Sequence, residues 1–124
     1  MAEIVELSDA EWRVMNLVWE RTSVSAQDVI AALSEPCGWS AATVRTMLHR
    51  LVKKGALAFT PDGNRYEYRA AVRRADCVRR AARSFLERVF NGEAAPLLAH
   101  FVKSARFTPE ELAELRELLN KQES

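Results

Sequence analysis

W-S-A-A-T-V-R-T-M-L-H-R-L-V-K-K-G, residues 39–55, is the stretch around which the chain is organised. Val44, Met47, Leu48, Leu51 and Val52 recur at i, i+3, i+4, i+7 and i+8, which at 3.6 residues per turn gathers them into one stripe for burial. A step of about 100° per residue puts Ala42, Thr46, His49, Arg50 and Lys53 opposite that stripe, with Thr43 and Arg45 on its shoulders. The helix carries no acid on its outer face. Ser40 is placed to cap the amino end, and Gly55 to end the helix in the left-handed conformation. The outward first turns thus hold small and hydroxyl-bearing side chains beside one Arg, while the last turns hold Arg50, Lys53 and Lys54. A helix that reads DNA needs that division: short side chains and an Arg where base edges approach, cations where phosphates pass. An ordinary amphipathic helix with solvated charges has a similar pattern, so the flanking sequence has to decide between them.

Upstream, Leu7-Ser8-Asp9-Ala10-Glu11-Trp12 opens a first helix, with Ser8 and Glu11 spaced for a capping box and Leu7 stapled to Trp12. Trp12, Met15 and Trp19 give it a core-facing edge that ends near Arg21, and Thr22-Ser23-Val24 runs extended or pairs briefly as a strand. The start signal repeats at Ser25 and Asp28, with Val24 stapled to Val29. This second helix carries Val29, Ile30 and Leu33 until Pro36 and Gly38 break it. Two short helices, a turn and a basic helix make a helix-turn-helix. Downstream, Leu57-Ala58-Phe59-Thr60, a turn over residues 61–64 and Arg65-Tyr66-Glu67-Tyr68-Arg69 form a hairpin. Its second run alternates, so Tyr66 and Tyr68 face one side and Arg65, Glu67 and Arg69 the other. A hairpin directly after a recognition helix is a wing, and Arg65 near its tip is within reach of a phosphate.

Three amphipathic helices follow. Residues 72–91 place Val78, Ala82, Phe85, Leu86 and Val89 at helical spacing among six Arg, before Asn91-Gly92 ends the pattern. Residues 93–103 carry Leu97, Leu98, Phe101 and Val102, with Pro96 admissible because it falls in the first turn. The last helix starts at Thr108-Pro109-Glu110-Glu111, a cap, a first-turn proline and a capping-box acid, and carries Leu112, Leu115, Leu118 and Leu119. So many apolar stripes cannot all fold back on a winged module, so a second copy is expected to cover them. The fold class is therefore mainly α with a small antiparallel β-hairpin. A winged helix-turn-helix domain spans residues 1–71 and a helical dimerisation domain residues 72–124, with dimer contacts expected at Phe85, Val89, Leu97, Leu98, Phe101, Leu112, Leu115 and Leu119. Such a homodimer suits double-stranded DNA, because two linked recognition helices read a palindromic operator.

The formal net charge of +1 conceals a segregation. Residues 1–40 hold two Arg against seven acids, residues 41–90 hold twelve Lys or Arg against four, and residues 91–124 hold four against six. The basic middle suits a polyanion. No apolar run approaches the roughly 20 residues of a membrane span, and the acidic start lacks the features of a signal peptide, so a cytoplasmic protein without membrane insertion is expected. Cys37 and Cys77 lie 40 positions apart with no C-x-x-C and no His at zinc spacing, which reads as reduced thiols with no metal and no cofactor. His49 and His100 have no catalytic companions, and the four glycines form no phosphate loop. An enzyme has no supporting constellation here.

The chain resembles the penicillinase and methicillin-resistance repressors of the BlaI and MecI type, together with the copper-responsive CopY repressors. The likeness is carried by S-D-A-E-W-R-V-M-N-L-V-W at residues 8–19, the W-S-x-x-T-V-R-T core at residues 39–46, Y-E-Y at residues 66–68 and F-T-P-E-E-L-A-E-L-R-E-L-L-N-K at residues 107–121. It implies a winged helix, a helical dimerisation region and repression by occupying palindromic operators. By that resemblance Ser40, Thr43, Arg45 and Thr46 contact DNA, with Thr43 and Arg45 reading bases, while Lys53 and Lys54 bind phosphate; Arg50 and Arg65 join them from the residue pattern. The resistance repressors are inactivated by cleavage at an Asn-Phe bond, which corresponds here to His100-Phe101, so Phe101 fits and His100 departs. Release by such a cut implies a membrane sensor protease as a further partner. The cysteine-rich motif of the copper branch is missing, which excludes copper sensing through it. Two rivals use the same residues. A winged-helix module that binds protein would more often expose apolar anchors on the outer helix face, and a ligand-gated repressor would enclose a pocket between dimer helices.

Overall fold

A computed structural model describes residues 6–123. The order of elements is α1 (Asp9–Arg21), β1 (Ser23–Ser25), α2 (Ala26–Cys37), α3 (Ala41–Lys54), β2 (Leu57–Asp62), β3 (Arg65–Ala70), α4 (Arg74–Phe90), α5 (Ala94–Ser104) and α6 (Pro109–Glu123). Three helices begin where a hydroxyl and an acid three residues apart satisfy each other's backbone. Ser8 Oγ accepts from the Glu11 N–H at 3.2 Å while Glu11 Oε1 accepts from the Ser8 N–H at 2.8 Å. Ser25 with Asp28 and Thr108 with Glu111 repeat the arrangement for α2 and α6. Ser40 caps α3 through the Thr43 N–H at 3.1 Å, and Gly55 ends it at φ +89°, a conformation that only glycine adopts without strain.

The core joins α1, α3 and the sheet. Val44, Leu48 and Leu51 of the α3 stripe are wholly buried and Met47 nearly so, with Val52 packed at their edge. They meet Val14, Met15, Leu17 and Val18 of α1, Val24 of β1, Val29 of α2 and Leu57 of β2. The expected tryptophan edge of α1 is only partly right: Met15 is buried, but Trp12 and Trp19 sit half-buried at the rim with ring centroids 5.9 Å apart. An indole N–H needs an acceptor, and Trp19 donates to the Val72 carbonyl at 3.1 Å, tying down the chain as it leaves the wing.

The sheet order is β1-β3-β2, all antiparallel, with Tyr68 opposite both Val24 and Phe59. The stretch after α1 thus forms a strand, paired to the distal strand of the hairpin. β2 runs farther than the sequence suggests, through Pro61 and Asp62 to a two-residue turn, Gly63-Asn64, with Gly63 at φ +66°. Pro61 is tolerated because β2 is an edge strand and owes no N–H to a further neighbour. Likewise Pro36 does not break α2. The helix runs through it to Cys37, and Gly38 at φ +69° ends it.

The chain divides into two compact units at Ser84/Phe85, within α4. The first holds the core just described and buries Cys77 of α4. In the second, among the described residues, none is fully buried; Leu86, Phe90, Leu97, Phe107 and Leu115 are half-buried. Phe85, Val89, Leu98, Phe101, Val102, Leu112, Leu118 and Leu119 remain exposed.

Candidate nucleic-acid interface

With its stripe fixed in the core, α3 turns Ala42, Thr43, Arg45, Thr46, His49, Arg50 and Lys53 outward, all exposed. Its first turns are low in profile: Ala42, Thr43, Thr46, Met47 and Arg50 line a shallow hollow of about 310 Å³. Ser40 Oγ, besides capping the helix, lies 3.0 Å from Thr43 Oγ1, so the two hydroxyls orient one another at the amino end. The expected short-chain surface is therefore present, with Ser40 and Thr43 already ordered.

A deeper cleft of about 500 Å³ separates α3 from the hairpin, lined by Arg45 and His49 of α3, Gln27 of α2 and Arg65, Tyr66 and Tyr68 of β3. It brings together Arg45 and Arg65, twenty positions apart in the sequence. Arg65 Nη2 is only loosely engaged, 3.6 Å from Glu67 Oε1 and largely exposed, a pair of little energetic weight. Tyr66 and Tyr68 share a face with Phe59, whose ring packs edge-on to Tyr66 at 4.9 Å. Burial pushes the Tyr68 phenol up, Tyr66 adds to this and the positive charge of Arg45 opposes it, so Tyr68 stays protonated and offers an O–H to the cleft. His49, Gln27 and Tyr66 are lining residues that the sequence reading did not assign as DNA contacts. Alternation grouped Tyr66 with Tyr68 but could not tell which face of the wing turns toward α3.

At the other end of α3 the two lysines part. Lys53 is exposed, whereas Lys54, read from the sequence as a phosphate contact, places its ammonium 2.6 Å from Glu11 Oε1 and 3.1 Å from the Glu6 carbonyl. Glu11 is 6% exposed. Burial alone would raise the Glu11 carboxyl, but hydrogen bonds from Lys54 and from the Ser8 N–H, with the lysine's charge, outweigh it and hold the group below the ordinary carboxylate range. A carboxyl whose folded pKa is depressed contributes stability that is complete above its unfolded value, about 4.3, and is lost as pH falls through the folded value. The melting temperature of Glu11→Gln is accordingly expected to fall less than that of the wild type between about pH 5 and pH 3. Parallel profiles for the two proteins in thermal melts would contradict the assignment.

Three strands packed on three helices, with a recognition helix turned outward and a hairpin beside it, define a winged-helix protein of the kind built to hold DNA. A sequence model of the penicillinase repressor family matches residues 7–121, and the chain belongs to that family. It is 35% identical over 119 residues to the penicillinase repressor of Bacillus licheniformis, covering 96% of this chain and 93% of that one. It is 34% identical over 116 residues to the methicillin resistance regulatory protein MecI of Staphylococcus aureus, covering 94% of each. Among solved structures, the Bacillus licheniformis BlaI monomeric form in complex with the blaP half-operator matches with a TM-score of 0.54 and 39% identity, over 61% of this chain and 93% of that one. No described helix is long and apolar enough to cross a membrane.

Proposed function

We propose that the chain is a homodimeric transcriptional repressor that occupies a palindromic operator, residues 1–71 holding DNA and residues 72–124 holding the two copies together. The observation that carries this reading is α3 itself: one face locked into the core, the other an exposed, acid-free surface with short side chains at one end and cations at the other. The Bacillus licheniformis relative is a penicillinase repressor by name, and BlaI of the same organism has been seen in complex with a half-operator. In this reading Ser40, Thr43, Arg45 and Thr46 contact DNA, Thr43 and Arg45 at base edges, and Arg50, Lys53 and Arg65 meet phosphates. The dimer rests on the apolar side chains that α4, α5 and α6 leave exposed, Phe85, Val89, Leu98, Phe101, Leu112 and Leu119. Leu97 and Leu115, expected beside them, are half-buried within their own unit.

Arg45→Ala is expected to weaken binding to the preferred duplex by about 1–3 kcal/mol, the worth of a bidentate base contact, with folding intact because Arg45 lies off the stripe. Lys53→Ala is expected to weaken preferred and random duplexes alike and to lower the salt slope by about one unit. Titrations over a salt series separate the two. An Arg45→Ala protein that lost affinity equally for both duplexes would overturn base reading by Arg45.

Repression ends, in this account, when the dimer is lost. His100 and Phe101 are both exposed, Phe101 by 47%, which favours access at the bond between them. The His100 carbonyl also accepts from Ser104 Oγ at 2.7 Å, within an intact helix. A protease, which takes its substrate extended, therefore acts on a locally unwound α5.

A further inference from the structure

We propose that Lys54 is a positioning residue: clasped by Glu11 and the Glu6 carbonyl, it fixes the carboxyl-terminal end of α3 so that Arg50 and Lys53 meet DNA, and it does not itself bind phosphate. The proposal rests on the DNA reading above.

The clasp joins the last residue of α3 to the first turn of α1. Glu11 Oε1 accepts both the Lys54 ammonium, at 2.6 Å, and the Ser8 N–H, at 2.8 Å, so a single oxygen caps α1 and anchors α3. The Glu11 side chain is 7% exposed and that of Lys54 37%. A carboxylate this dry needs charge-assisted donors. Were Lys54 to swing out to a phosphate, Glu11 would be left buried with the Ser8 N–H alone, a penalty that a solvated phosphate contact does not offset. Lys53 is under no such constraint, since among the described residues it makes no hydrogen bond or ion pair.

The position of the clasp gives it leverage. Ser8, Glu11, Arg50, Lys53 and Lys54 line one open hollow of about 560 Å³, so the pair forms the floor beside the two cations that point outward. The angle at which α3 ends therefore sets where Arg50 and Lys53 stand, and a rigid support of that kind governs whether a charged contact is made at full strength. Charge bookkeeping separates this role from direct contact. Lys54 is neutralised by Glu11, so the pair displaces no counterion from DNA, whereas a lysine on a phosphate adds about one unit to the salt slope. The sign for Glu11 is sharper. By charge alone, removing an acid beside Arg50 and Lys53 strengthens binding to a polyanion; if the acid holds the clasp, removing it weakens binding.

The test uses the full chain, its Lys54→Gln and Glu11→Gln variants and the double variant, all checked for helix content. The DNA probes are a duplex that the wild type selects from a random pool and a shuffled control. Each single variant is expected to lose about tenfold in affinity for the selected duplex, Glu11→Gln included although it removes an acid, and the double variant to be no worse than either single one. Unfolding should show the same pair coupled, by about tenfold in the equilibrium constant. A Lys54→Gln slope lower by about one unit, with Glu11→Gln binding more tightly than the wild type, would overturn the proposal in favour of direct contact. Additive unfolding effects would overturn the clasp alone. A wild type that selected no duplex would instead end the DNA reading, and the positioning role with it.

Discussion

A fragment of residues 1–100 is expected to bind a palindromic duplex about 10²- to 10⁴-fold more weakly than the full chain, while binding an isolated half-site with nearly unchanged affinity. The fragment keeps the core, α3 and the wing, because every buried residue among those described lies in the first unit. It loses α6 with Leu112, Leu118 and Leu119, and the part of α5 that carries Phe101 and Val102, all exposed in the single chain. What disappears is the effective concentration that joins one half-site contact to the other. Fluorescence anisotropy of both proteins on whole and half duplexes measures this. Equal affinity for the whole duplex would exclude cleavage at His100-Phe101 as the release step.

Leu119→Asp should separate the protomers without cutting the chain. Leu119 is 51% exposed in the single chain, so a carboxylate there is solvated in the monomer and stripped of water only where a second copy covers it. A buried unpaired charge costs about 3–5 kcal/mol, incurred in each protomer, so the dimer dissociation constant is expected to rise by at least about two orders of magnitude. Sedimentation at micromolar concentration should show a dimer for the wild type and a monomer for the variant, with unchanged helix content. A variant that remained dimeric would place the interface away from α6.

The legible part of this molecule is the part governed by local periodicity. The α3 stripe, the three capping boxes and the hairpin follow from spacings of three, four and two residues, and each is present, the hairpin with a longer first strand and a tighter turn than read. What escaped depends on contacts distant in sequence. Nothing near Lys54 announces Glu11, 43 positions away, and a pair of lysines at a helix end looks the same whether both face solvent or one turns inward. The wing shows the same limit. Alternation grouped Tyr66 with Tyr68, yet only the packing of β3 against β1 turns their face toward Arg45 and His49. Pro36 misled because α2 continues through it and stops only at the left-handed Gly38, and Trp12 and Trp19 because size and an N–H donor favour the rim of a small core over its centre.

The most direct measurement is a titration of the wild type, at one fixed salt concentration, against a duplex it selects from a random pool and against a shuffled duplex of equal length, with sedimentation counting the chains bound. Two chains are expected on each selected duplex, at an affinity about 10³-fold or more above that for the shuffled one. Equal affinity for the two duplexes, or a single chain at saturation, would contradict the reading of this protein as a dimeric, sequence-specific repressor.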